Sequence, residues 1–149
     1  MVLIRNGVEL GHVSGELPDL ETYLAGNEGD SVLLSPDVDL ETLKPRLSGL
    51  ALIEVSFPSF TDGRGFSVAK QLRRLGYEGE LIATGPLIPD QYLCAVQCGF
   101  DAVKIEQECY VRQSEGEWNE ALHAFDLFYQ RGYVRQNPVS RNITEARYE

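Results

Sequence analysis

From Ser31 to Ile105 the sequence repeats one pattern: a short apolar run, then a stretch whose apolar residues recur at helical spacing, joined by short connections. The apolar runs are Ser31 to Ser35 (SVLLS), Ala51 to Phe57 (ALIEVSF), Glu80 to Thr84 (ELIAT) and Phe100 to Ile105 (FDAVKI). Between them the spacing predicts helices over Asp39 to Leu47, distorted by Pro45, and over Phe66 to Leu75, with Phe66, Ala69, Leu72 and Leu75 on one face. A third runs over Pro89 to Gln97 and stops at Gly99. A capping-box pattern at Ser114 and Glu117 opens a last helix to about Tyr129, striped by Trp118, Leu122, Phe125 and Tyr129 and ended by Gly132. Strands alternating with helices over short links require right-handed crossovers and a parallel sheet. The predicted fold is therefore α/β: a small parallel sheet of β/α units, open three-layer or half-barrel-like. The open form is favoured, because four strands are too few to close a barrel.

Ahead of this repeat, Val2 to Arg5 and Val8 to Val13 flank Asn6-Gly7, the dipeptide that best fits a tight type I′ turn, and predict a β-hairpin over 2–13. Ser14 to Asp30 is polar, with one short helix suggested by Leu17, Leu20, Tyr23 and Leu24. A chain of 149 residues fits one domain, here 1–133, followed by an apolar-poor tail, 134–149, that is either partly disordered or reaches to a neighbour. With 23 acids against 13 bases and a formal charge of -10, nucleic acid is a poor partner, since phosphate binding needs a basic field. No apolar run reaches the roughly 18 to 20 residues of a membrane span, and the N-terminus lacks a signal-peptide pattern, so a cytoplasmic protein is expected. Cys94, Cys98 and Cys109 are expected reduced and structurally buried. Cys94 and Cys98 share a helical face, but no metal-ligand set and no cofactor motif is evident.

Ligands of parallel α/β sheets bind beyond the carboxyl ends of the strands, so the loops after Phe57, Thr84 and Ile105 are where chemistry is expected. Residues 57 to 67 join a buried strand to a helix through Gly63 and Gly65 around Arg64. Two glycines permit positive φ and close backbone approach, and the helix start offers unpaired N–H groups to an anion. Thr61 and Asp62 are N-cap candidates, and a capping Asp62 competes with an anion for the same N–H groups. Asp62 could also pair with Arg64. In the next loop Asp90 and Gln91 stand at a helix start. Arg64, Lys70, Arg73 and Arg74 form the densest basic stretch, with the last three at i, i+3 and i+4, either a solvated helix face or a binding patch. No nucleophile with an adjacent base is recognisable, so hydrolysis is disfavoured.

The run Phe57-Pro58-Ser59-Phe60-Thr61-Asp62-Gly63-Arg64-Gly65-Phe66-Ser67, with Gly79-Glu80-Leu81, Ala83-Thr84-Gly85, Asp90-Gln91 and Cys98-Gly99-Phe100-Asp101, resembles a bacterial family of unknown function. Its members are typically encoded beside assimilatory sulfite reductase and carry the label of oxidoreductases of sulfite reduction. The resemblance covers roughly residues 31 to 130 and implies an accessory protein that binds the reductase, its electron donor or a small sulfur oxyanion; the Asp62-Gly63-Arg64-Gly65 loop is the expected interaction site, with Thr61, Asp90 and Gln91 as further candidate binding residues. The alternatives are a small oxidoreductase acting with a borrowed cofactor, and a structural domain whose Gly-Arg-Gly loop only shapes a turn.

Overall fold

A computed structural model describes residues 1–12, 15–26, 29–59, 61–112 and 115–128. Its centre is one open six-stranded sheet, built from β1 (Val2–Arg5), β2 (Val8–His12), β3 (Ser31–Leu34), β4 (Leu52–Ser56), β5 (Glu80–Thr84) and β6 (Ala102–Ile105) in the order β2-β1-β6-β5-β4-β3. Strands β3 to β6 run parallel, and β1 pairs antiparallel with both β2 and β6. The predicted hairpin thus forms and extends the sheet past its last parallel strand. Asn6 and Gly7 both take positive φ, 54° and 76°, as a type I′ turn demands.

The order β3-β4-β5-β6 advances without reversal. Right-handed crossovers along such an order place every connecting helix on the same face, as in half of a barrel, whereas a doubly wound sheet must reverse. Val2, Ile4, Val32, Leu34, Ile53, Val55, Leu81, Ala83, Val103 and Ile105 form the apolar side of the sheet and are essentially inaccessible. Helix α3 (Arg64–Arg74) packs on β4 and α4 (Pro89–Cys98) on β6. Helix α6 (Glu115–Phe128) packs on α4 and β2, where Trp118 meets Tyr92 edge-on at 5.5 Å.

Local chemistry accounts for the departures from the predicted boundaries. Pro45 divides the segment expected as one helix into α2 (Leu40–Leu43) and a 3-10 helix, Lys44–Gly49, because proline lacks the donor an α-helix needs there. Asp39 caps α2, accepting from the Glu41 N–H at 3.1 Å. Helix α3 starts at Arg64 rather than Phe66, since the Asp62 carboxylate takes the Arg64 N–H at 3.1 Å. Helix α1 (Leu20–Leu24) is capped by Asp19, which accepts from Thr22. Helix α5 (Gln107–Arg112) was not foreseen: it buries no residue fully, so it leaves no apolar period to read. Val13, Ser114, Tyr129, Gly132 and the tail 134–149 lie outside the described residues.

Candidate functional site

The loop after β4 is positioned by Phe57. Its N–H donates to Thr84 O at 2.7 Å, and its buried ring lies against Phe66 and Phe100, with centroids 4.9 and 5.8 Å away. Gly65 is needed for this packing, because a Cβ there would stand 2.5 Å from Phe57 Cζ. The two loop glycines do not supply positive φ, contrary to the expectation for a phosphate-cradling loop. Gly63 has φ -90° and Gly65 lies within α3. Thr61 is exposed, its hydroxyl 2.9 Å from that of Ser59.

Asp62 and Arg64 form one unit. Arg64 donates Nε to Asp62 Oδ1 at 3.0 Å and Nη2 to Oδ2 at 2.8 Å, while the Arg64 backbone N–H also donates to Oδ1. The carboxylate therefore occupies the guanidinium fork and the first N–H of the helix together, the groups an incoming anion would use. These hydrogen bonds from Arg64 hold the Asp62 carboxyl down at about 2. The Arg64 side chain nonetheless remains 60% exposed, and its charge also reaches Asp37, in the loop after β3.

A carboxyl whose folded value is depressed stabilises the fold above its unfolded value, and that contribution is lost as pH falls through the folded one. For Asp62 this window runs from the ordinary carboxylate value of 3.8 down to about 2. A carbon-detected NMR titration should give Asp62 a midpoint near 2, and Arg64→Ala should return it toward 3.8. A midpoint near 4 in the unsubstituted protein would show that the fork is not formed in solution.

The remaining predicted residues do not converge on this loop. Asp90 and Gln91 begin α4 on the same carboxyl edge, where Gln91 Oε1 accepts from the Ile88 N–H at 3.2 Å and so caps its own helix. Lys70 and Arg74 are exposed along α3, with Arg74 about 15 Å from Arg64 by helical rise. Arg73 does not belong to a basic patch. It turns inward and donates to the carbonyls of Gly99 (2.8 Å), Tyr77 (2.8 Å) and Gly79 (2.9 Å) and to Asp101 Oδ2 (3.1 Å). Asp101, 3% exposed, also accepts from the Leu81 N–H at 2.9 Å, so this pair ties α3 to the loops at the amino edge. A cavity of about 420 Å³ opens at the same edge, lined in part by Lys44, Leu47, Leu50, Leu75, Tyr77 and Glu78. It lies opposite the loops where ligands are expected.

Two features went unread in the sequence. On the sheet face away from the apolar side, Lys104 Nζ meets Glu54 Oε1 at 2.5 Å with both side chains buried, and Arg5 pairs with Glu80. Glu54 within the apolar run ALIEVSF and Lys104 within FDAVKI were the available signal, since a parallel strand rarely spends a buried position on an unpaired charge. The second is the exposure of two cysteines: Cys98 is buried as expected, but Cys94 is exposed and Cys109 half-buried, against the expectation that all three are buried. Among the described residues no group of three or more metal-ligating side chains converges, and no helix is long and apolar enough to cross a membrane.

An open, mostly parallel α/β sheet with a charged strand-to-helix loop at its carboxyl edge defines a small α/β protein, here with the Asp62–Arg64 fork at that edge. The chain belongs to DUF934, a family of bacterial proteins of unknown function, whose family model matches residues 31–140. The match opens at β3, so the hairpin lies ahead of it. No curated protein and no solved structure matches the chain.

Proposed function

We propose that the chain is an accessory protein of assimilatory sulfite reduction that docks on the reductase or its electron donor through the carboxyl-edge loop around Arg64. The sulfite-reduction setting comes from the family resemblance of the Phe57 to Ser67 run. The choice of a protein partner over a small oxyanion rests on one observation: Asp62 already fills the fork and the helix N–H, while most of the Arg64 side chain faces solvent. A sulfur oxyanion would have to displace an internal carboxylate held by three hydrogen bonds. A protein surface needs only the outer edge of the guanidinium, and an arginine already fixed by Asp62 loses little rotamer freedom on docking.

With immobilised sulfite reductase, or with its electron donor, Arg64→Ala should weaken binding about tenfold, the loss of about 1.4 kcal/mol expected of a partly exposed interface arginine. Lys70→Ala should change it less. If neither partner retains the unsubstituted protein, the proposal fails. A thermal shift with sulfite or sulfate that vanishes in Arg64→Ala would transfer the site to the oxyanion.

A further inference from the structure

The cavity of about 420 Å³ at the amino edge is bordered by two segments that the docking loop does not use. One is the 3-10 helix that Pro45 imposes, Lys44–Gly49, and the other is the turn that ends α3. We infer that this cavity is a binding site for a free apolar α-amino acid. Glu78 takes the ligand's ammonium, Lys44 its carboxylate, and Leu47, Leu50 and Leu75 receive its side chain.

The walls are built before any ligand arrives. Gly76 has φ +94°, and the Gly76 N–H donates to Arg73 O and the Tyr77 N–H to Leu72 O, each at 3.0 Å. This paired pattern closes a helix and folds the next residue back against it, which lays the Tyr77 ring into the wall at 4% exposure. Gly79 keeps the ring there, since a Cβ at that position would collide with the Tyr77 hydroxyl. Arg73 stands over the same ring at 5.7 Å and donates to the carbonyls of Tyr77 and Gly79. The 3-10 helix supplies the other wall through Leu47 and Leu50, both buried and tied by the Leu50 N–H to Leu47 O bond at 3.2 Å. Walls fixed in this way lose little freedom when a ligand enters.

The lining selects by charge as well as by shape. Lys44 and Glu78 are exposed at the cavity, and neither enters an ion pair or a side-chain hydrogen bond with a described residue. Opposite charges that line one cavity without meeting suit a ligand that carries both signs. Both helices reach the cavity with their C-terminal ends, where the last carbonyls favour a cation. The ammonium therefore belongs beside Glu78, four residues past the end of α3, and the carboxylate beside Lys44, the first residue of the 3-10 helix. A chain of formal charge -10 repels a free anion, whereas a zwitterion approaches without that penalty. The volume equals about fourteen waters at about 30 Å³ each, room for a ligand the size of leucine or phenylalanine.

The test titrates the full chain with L-phenylalanine and L-leucine, read by calorimetry and by amide NMR. Binding should saturate with a Kd of about 1 mM, and the shifted amides should fall within 44–50 and 75–79 while that of Arg64 stays in place. Phenethylamine lacks the carboxylate and phenylpropionate lacks the ammonium, and each should bind about fivefold more weakly than phenylalanine. N-acetylphenylalanine and phenylalaninamide, which imitate residues at the two ends of a peptide, should lose as much. Lys44→Met and Glu78→Gln should each weaken phenylalanine about fivefold, Lys44→Met without effect on phenethylamine and Glu78→Gln without effect on phenylpropionate. Both side chains are exposed and unpaired among the described residues, and either variant carries the test if the other does not fold. No saturable binding, either one-charge analogue binding as tightly as phenylalanine, variants that leave the affinity unmoved, or shifts centred on the Arg64 loop would each overturn the inference.

Discussion

Glu54→Leu alone is expected to cost about 3–5 kcal/mol, because it leaves the Lys104 ammonium buried without its counter-charge. Both side chains are nearly inaccessible, at 6% and 7% exposure, so water cannot take over the solvation that the carboxylate provides. The double variant Glu54→Leu/Lys104→Met should recover most of the loss, since an apolar pair of similar volume removes the desolvation cost of both charges at once. Urea unfolding of the four proteins in this cycle gives the coupling energy directly. A single variant within 1 kcal/mol of the parent, or a double variant as poor as the single, would show that the pair is not buried in solution. The effect is large relative to the roughly 5–15 kcal/mol that holds a domain folded.

The register explains why a charged pair is found there at all. Glu54 aligns with Ile82, which aligns with Ala102, and Thr84 aligns with Lys104. Lys104 thus reaches from β6 across β5 to β4. Two strand spacings are roughly 10 Å, a gap that one lysine and one glutamate side chain can close between them. Arg5 of β1 reaches across β6 to Glu80 of β5 in the same manner. This face of the sheet is laced by two ion pairs that each skip a strand, while the other face is purely apolar where the helices pack.

That asymmetry marks where sequence reading succeeded and where it stopped. The helix-covered face was legible because burial on that side selects Ile53 and Val55, Leu81 and Ala83, Val103 and Ile105 at every second position, and the alternation with helices announces the parallel order. The charges of the other face were visible as letters, but a pair that skips a strand depends on register and strand order, neither of which is local. Arg73 failed for a similar reason. Its i, i+3, i+4 spacing with Lys70 and Arg74 reads as a basic face, yet its partners Gly99 and Asp101 lie 26 and 28 residues further on. Asp62 and Arg64, two residues apart, were legible as a pair because their contact is local. The Cys94–Cys98 spacing was read correctly as one helical face, whereas the exposure of Cys94 depends on how α3 packs against α4.

Gly85→Ala should be the most damaging single methyl group in the carboxyl-edge loops, at about 3 kcal/mol or more. Two independent effects add there. Gly85 has φ +139°, a conformation alanine adopts only under strain, and a Cβ would stand 2.1 Å from the Phe57 carbonyl oxygen. The obstacle is backbone on both sides: Phe57 N–H is bonded to Thr84 O, and Gly85 N–H to Lys104 O at 3.1 Å. Neither strand can withdraw without opening the ladder that β4, β5 and β6 share. Gly65→Ala is the informative comparison, because its Cβ meets the same residue through the ring, at 2.5 Å from Phe57 Cζ, and its backbone is already helical. Overpacking of about 1–3 kcal/mol there is offset by the roughly 1 kcal/mol that alanine gains over glycine within a helix. Thermal and urea unfolding should therefore rank Gly85→Ala well below Gly65→Ala. Equal losses would mean that the Phe57 ring is as immovable as its carbonyl, and the order of the Asp62–Arg64 loop would then depend on the Phe57, Phe66 and Phe100 cluster rather than on the strand ladder.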